Sequence, residues 1–324
     1  MKAILCKRHG PPESLVVEEI ADPVPGPGQV LIETRAIGVN FPDTLIIQNL
    51  YQFKPPLPFS PGSECAGIIT AVGAGVTQFK PGQRVAAFTT WGAYAQRVVA
   101  EATKTMPLPD DLAFDTAAAF TLVYGTSYHA LKDRAALRAG ETLLVLGAAG
   151  GVGLAAVEIG KALGARVIAA ASSADKLEVC RRHGADACIN YDTENLRERI
   201  KELTGGAGVD VVYDPVGGAY SEAALRSVGW RGRFLVVGFA NGTIPSIALN
   251  LALLKGLAIV GVFWGEFTKR EPAHAAQDMK DMMALLQAGK LRPEVSARYP
   301  FERVAEALNS VLARKAVGKI VLVP

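Results

Sequence analysis

Residues 147–153 read Gly-Ala-Ala-Gly-Gly-Val-Gly, directly after the apolar run Thr142-Leu-Leu-Val-Leu146 and directly before a helix-compatible run, Leu154–Leu163. An apolar strand that turns through glycines into a helix can receive a pyrophosphate. Gly150 lets the backbone approach the phosphates, Gly153 lets the helix pack tightly on the strand, and the helix start at Gly151 and Val152 offers free N–H groups at the positive end of the dipole. A second apolar run, Arg166–Ala171, ends where the next strand of such a fold should end. The acid that binds the ribose hydroxyls in NAD-specific sites belongs there, but the chain reads Ser172-Ser-Ala-Asp-Lys176. Hydroxyls and a lysine suit a 2′-phosphate, so NADPH is expected rather than NADH, with Ser172, Lys176 and Tyr191 at that end. The competing readings are a plain tight turn for the glycines and a solvated helix lysine for Lys176.

The elements that must position these residues can be read from the pattern of the chain. Between about Thr121 and Val260 it alternates strand and helix: strands at 143–146, 167–171, 187–190, 209–213 and 233–237, helices at 152–163, 175–182, 194–203 and 219–228. That alternation predicts a doubly wound parallel sheet. Met1 to about Ala119 is instead rich in short β-branched runs (30–36, 66–72, 84–88) bounded by Gly and Pro. The tail mixes a helix over 278–287, an extended 297–300, a helix over 302–312 and a strand over 318–323, and is expected to return to the first domain. The organisation is therefore α/β, with a β-rich domain over 1–120, a dinucleotide domain over 121–260 and a returning tail over 261–324.

Composition excludes several classes. Half of the 324 residues are hydrophobic and 20% are charged, so two buried cores are within reach and disorder is not expected. A net charge of +3 without a basic cluster argues against a nucleic-acid or membrane surface. The apolar stretches 143–157 and 247–263 are broken by glycines, Asn250 and Lys255, and read as buried α/β segments. The start, Met-Lys-Ala-Ile-Leu-Cys-Lys-Arg-His, has no signal-peptide core, and Cys6, Cys65, Cys180 and Cys188 have no ligand or disulfide spacing. A cytoplasmic protein is expected.

Six motifs in order then carry a resemblance: Gly38-Val-Asn-Phe-Pro-Asp43, Pro61-Gly-Ser-Glu-Cys-Ala-Gly67, Gly73 to Val85, the 147–153 loop, Asp214-Pro-Val-Gly-Gly218 and Gly318-Lys-Ile-Val-Leu322. Together they resemble the zinc-free quinone oxidoreductase (zeta-crystallin-like) branch of the medium-chain dehydrogenase/reductase superfamily, across essentially the whole chain. The resemblance implies a GroES-like substrate domain joined to a Rossmann domain. Zinc-containing relatives place a Cys where this chain has Asn40 and a His where it has Ser63, and their four-cysteine lobe has no counterpart between Cys65 and Cys180. Glu64 alone cannot supply a converging ligand set, so no metal is expected. Ala148 stands for the first fingerprint glycine, as is usual in the branch. Glu158 stands where the branch carries Gln, and by helical spacing it is expected to face outward.

Without a Lewis acid the expected substrates are acceptors that spread the incoming charge over a conjugated system. The resemblance implies an NADPH-dependent reductase moving hydride to a quinone; enone or enoyl-thioester reduction, a non-catalytic NADPH-binding protein and a zinc alcohol dehydrogenase are the alternatives. It places Asn40, Tyr51 and Thr126 at the reacting groups, with turn-stabilising, packing and helix N-cap parts as their plainer readings. His129 reads as a packed core histidine. Val216, Gly238 and Phe239 lie where ligands meet strand ends, Phe263 and Trp264 follow the next strand beside the nicotinamide, and Lys319 resembles a residue that closes on the cofactor. The run Leu257–Val262, apolar and last in its sheet, is expected to pair with its copy in a homodimer.

Overall fold

Strands Thr142–Leu146, Arg166–Ala171 and Val209–Asp214 are buried along almost their whole length, as strands must be when helices cover both faces of a sheet. The computed structural model describes all 324 residues and divides them into two units, Met1–Leu122 with Pro293–Pro324, and Val123–Arg292.

The second unit is built on a six-stranded sheet whose neighbours run parallel throughout. Across it the strands lie in the order Ala187–Asn190, Arg166–Ala171, Thr142–Leu146, Val209–Asp214, Val228–Val236 and Ala258–Gly261. Chain order reverses direction between Thr142–Leu146 and Val209–Asp214. In a doubly wound sheet that reversal opens a crevice at the carboxyl ends of the two strands. Helices Gly151–Ala162, Ala174–Arg182, Leu196–Leu203 and Ala219–Arg226 make the crossovers. Side-chain caps start two of them: Ser173 accepts from Lys176 N, and Asn195 accepts from Arg197 N and Glu198 N.

The first unit is β-rich. Its main sheet runs through Val295–Pro300, Lys319–Val323, Gln29–Val39, Glu64–Val72, Arg84–Phe88 and Thr105–Pro107, with Arg97–Glu101 also paired to Gln29–Val39. The terminal strand is antiparallel to Gln29–Val39, with Ile320 opposite Val39 and Leu322 opposite Ile37. Phe301, Val304, Ala307 and Leu308 of the tail enter the same core as Ile4, Ile37 and Tyr94.

The return to the first unit begins at Pro293 rather than at residue 261. Residues 261–292 stay with the second unit because helix Pro272–Gln287 is tied to it: Lys132 Nζ lies 3.0 Å from both Asp278 Oδ1 and Asp281 Oδ2. This helix starts six residues ahead of the sequence expectation, with Pro272 in its first turn, where the missing N–H costs nothing.

Candidate dinucleotide and acceptor sites

The glycine turn leaves strand Thr142–Leu146 at the switch point. A Cβ on Gly153 would lie 2.2 Å from Gly147 O, so only glycine lets the helix start press against the turn. A Cβ on Gly150 would meet nothing nearer than Gly147 O at 3.4 Å. Packing does not demand glycine there, and the space above Gly150 is open to a ligand. No side chain caps the helix that begins at Gly151, so the N–H groups of its first turn remain available to a ligand.

Across the crevice, Asp214 ends the neighbouring strand and organises its turn. Its Oδ1 accepts from Val216 N at 2.8 Å and Gly217 N at 2.9 Å, and its Oδ2 accepts from Ser221 Oγ at 2.6 Å. Val216 is nearly buried, and its Cγ2 would lie 2.8 Å from a Cβ on Gly147, so the two turns adjoin. Phe239 is half-buried against Gly217, and Gly238 precedes it at the end of the fifth strand. Ser127 Oγ donates to Val152 O at 2.8 Å, which obliges Tyr213 to donate its hydroxyl hydrogen to Ser127 Oγ, also at 2.8 Å. Burial pushes the Tyr213 phenol upward, keeping it protonated as this donor.

At the other end of the crevice Lys176 Nζ donates to Ser172 Oγ at 3.1 Å. Tyr191 lies against Tyr220, ring centroids 4.3 Å apart, and Tyr220 donates its hydroxyl to Asp192 Oδ1. Ser172, Lys176 and Tyr191 thus gather at the ends of two adjacent strands. Trp264 is buried against Gly125, where a Cβ would come within 2.6 Å of its ring, and Phe263 is partly exposed.

Two expectations in this unit are corrected. Glu158 does not face outward: it is 4% exposed, accepting from Tyr124 Oη at 2.6 Å and Arg292 N at 2.9 Å and pairing with His183 Nδ1. Spacing placed it outside because the helix was read against the sheet alone, whereas the segment ending at Arg292 covers its outer face. Thr126 does not open a helix; it lies within Thr121–Tyr128, half-buried.

In the first unit, Asn40 precedes helix Phe41–Ile46 and is nearly buried. Its Nδ2 donates to Glu64 Oε1 at 2.9 Å and Gly38 O at 3.4 Å, and its Oδ1 accepts from Lys319 Nζ. Lys319 also donates to Glu64 Oε1 and to Val39 O, both at 2.8 Å. All three ammonium hydrogens are therefore used inside this unit. Glu64 Oε2 accepts from Leu122 N at 2.8 Å, and Ser63 Oγ is buried without a partner. Asp43 Oδ2 accepts from Asn40 N and from Tyr94 Oη, each at 2.8 Å. Full burial pushes the Asp43 carboxyl up to about 7. Tyr51 is half-buried edge-on to Phe53, its phenol raised by burial and then by the nearby Asp43 carboxylate. The parts of Asp43, Asp214 and Ser127 are not evident from the motifs that contain them, and Glu64, considered only as a metal ligand, instead holds Asn40, Lys319 and Leu122 N; the signal at Asp214 is a carboxylate that ends an apolar run.

Comparison with known proteins matches residues 26–110 to the alcohol dehydrogenase GroES-like domain and residues 151–288 to the zinc-binding dehydrogenase family. A quinone oxidoreductase of Pseudomonas aeruginosa is 39% identical over 328 residues, covering 100% of this chain and 99% of the relative. The structure of Escherichia coli quinone oxidoreductase complexed with NADPH superposes with a TM-score of 0.92 at 32% identity, covering 100% of both chains. That of CurK enoyl reductase gives 0.91 at 26% identity, covering 99% of this chain and 98% of the other.

Proposed function

The chain belongs to the quinone oxidoreductase (zeta-crystallin-like) family of the medium-chain dehydrogenase/reductase superfamily, and from that premise we propose that it is an NADPH-dependent quinone reductase. The observation that carries the cofactor assignment is the Lys176–Ser172 pair where an acid would stand in an NAD site. The space above Gly150 and the uncapped helix start fit a pyrophosphate.

In this reading Gly150, Gly151 and Val152 hold the pyrophosphate, and Ser172, Lys176 and Tyr191 the adenosine 2′-phosphate end. Val216, Gly238, Phe239, Phe263, Trp264 and Thr126 line the nicotinamide. The bound cofactor supplies a hydride from its dihydronicotinamide ring. Hydride addition leaves negative charge on a quinone oxygen, delocalised over the ring, so a hydrogen-bond donor suffices where an alkoxide would need a metal. We assign that donor to Tyr51, whose raised phenol stays protonated at neutral pH. Asn40 has its amide hydrogens committed to Glu64 and Gly38, which makes it a positioning residue for this segment. The Lys319 ammonium already supplies the cation shared by Asn40 and Glu64, and a zinc ion at Asn40, Ser63 and Glu64 would have to displace it.

Enone or enoyl-thioester reduction is the second reading, favoured by the likeness to an enoyl reductase. The test is NADPH oxidation with ortho- and para-quinones, enals and enoyl-thioesters, before and after exhaustive chelation. Turnover fastest with quinones and unchanged by chelation is expected. Turnover only with enoyl-thioesters would replace the substrate assignment, and turnover with none would leave an NADPH-binding protein.

A further inference from the structure

The second unit contains His-x-x-x-Asp twice, as His129-Ala-Leu-Lys-Asp133 and His274-Ala-Ala-Gln-Asp278. Neither pair takes part in the function proposed above. The first lies on the π-helical turn His129–Arg134, and the second on helix Pro272–Gln287. On a helix, residues four apart share a face, so each segment presents an imidazole and a carboxylate together, and the fold brings the two presentations into contact.

Their polar atoms converge. His129 Nδ1 is 2.8 Å from Asp133 Oδ2, and His274 Nε2 is 3.4 Å from Asp133 Oδ1 and 3.8 Å from Asp278 Oδ1. One ligand atom from each of His129, Asp133 and Asp278 falls within 4.8 Å of the others. Ligands around a tetrahedral zinc, each roughly 2.0–2.1 Å from the metal, stand about 3.3 Å from one another. The three-residue set is near that spacing, and His274 Nε2 joins it through the Asp133 and Asp278 carboxylates. Phe267 holds both imidazoles, stacked on His129 with centroids 3.9 Å apart and edge-on to His274 at 5.2 Å.

The second observation is Asp278. It is 3% exposed, and its Oδ2 is buried with no hydrogen-bond partner. Its other oxygen is held by Lys132, which also binds Asp281. Two adjoining carboxylates with one ammonium to their side are short of positive charge. The unpartnered oxygen belongs to a carboxylate whose ligand atom lies within 4.8 Å of those of His129 and Asp133, and a cation among them would satisfy it.

We propose that His129, Asp133, His274 and Asp278 form a binding site for one divalent transition-metal ion, zinc or an ion of similar preference. Two imidazoles and two carboxylates suit zinc, cobalt or nickel, whereas magnesium and calcium prefer all-oxygen sets. The half-exposed His274 leaves the ion a route in. The ion would tie the π-helical turn to helix Pro272–Gln287 and has no part in hydride transfer, because none of its ligands is assigned to cofactor or acceptor.

The experiment uses the whole protein, stripped with a chelator and titrated with Co²⁺ as an optical probe. We expect one equivalent per chain, visible d–d absorption of four-coordinate intensity, and displacement by Zn²⁺. Asp278→Asn, His129→Gln and His274→Ala should each weaken binding at least tenfold, and turnover of the stripped protein should match that of the loaded one. His274→Ala, at a half-exposed position, decides the matter if a buried substitution fails to fold. Three outcomes overturn the proposal: no saturable equivalent, binding unaffected by the substitutions, or thiolate charge-transfer bands that assign the ion to cysteines. Loss of turnover on stripping would overturn its separation from the chemistry.

Discussion

Lys319 Nζ stands 2.8 Å from Glu64 Oε1, with the lysine side chain 4% exposed and the carboxylate fully buried. The pair joins the terminal strand to strand Glu64–Val72 of the same sheet. Removing the ammonium strands a carboxylate in the core, which costs far more than the intact pair contributes. Lys319→Met should therefore lower the unfolding free energy by about 3–5 kcal/mol. The double change with Glu64→Gln should recover a large part of that loss. Urea unfolding of the wild type, each single variant and the double variant checks this, and equal losses for Lys319→Met and the double variant would contradict the coupling.

Asp43 gives the first unit a pH-dependent weakness. Its carboxyl rises from 3.8 to about 7, by burial above all, against the opposing hydrogen bonds from Asn40 N and Tyr94 Oη. In that window the folded chain holds a proton that the unfolded chain has released, so stability falls as pH rises from 3.8 towards 7 and levels off above it. Asp43→Asn should flatten this slope. Thermal unfolding of both proteins across the range checks it, and a slope surviving in Asp43→Asn would assign the effect to another group.

Lys176 should decide the choice of cofactor. Its contact with Ser172 Oγ already holds the ammonium at the strand end. Lys176→Ala should weaken NADPH by about 1–3 kcal/mol, as for a lost charge-assisted hydrogen bond, and leave NADH nearly unchanged. Calorimetric titration with each cofactor measures the difference. Equal losses, or a wild-type preference for NADH, would refute the assignment.

The dinucleotide fold was legible because its signals are local. Apolar runs set four of the five strands within one residue of their observed ends, while the fifth, read from 233, begins at Val228, where exposed Trp230 and Arg231 interrupt the apolar pattern; Gly153 carries its steric reason in sequence. Glu158 was misplaced because helical periodicity knows only the helix's own faces; its outer face meets Tyr124, His183 and the backbone of Arg292, up to 134 positions away. Lys319 was expected to close on the cofactor, and its place in the core was hidden for the same reason: only the antiparallel pairing of Ile320 with Val39 brings it beside Asn40 and Glu64.

Strand Ala258–Gly261 is the last of its sheet, paired on one side only. Ile259 is exposed there, and Trp230, Leu253 and Leu254 of neighbouring segments are 73%, 80% and 68% exposed. Gly256, between the two leucines and the edge strand, lies against Trp230. An open apolar edge beside exposed Trp and Leu side chains is a surface that soluble proteins cover. A second copy is the economical cover, since a two-fold axis lets the same edge pair with itself. Of the edge carbonyls, that of Gly261 accepts from Arg134 Nε, so pairing should centre on Ile259 and Val260. We expect a homodimer in sedimentation at micromolar concentration. Ile259→Pro, which removes an edge N–H, and Leu253→Glu, which charges the patch while sparing the strand, should each shift it to monomer. A wild-type monomer with full activity, or a dimer untouched by both changes, would place the subunit contact elsewhere or nowhere.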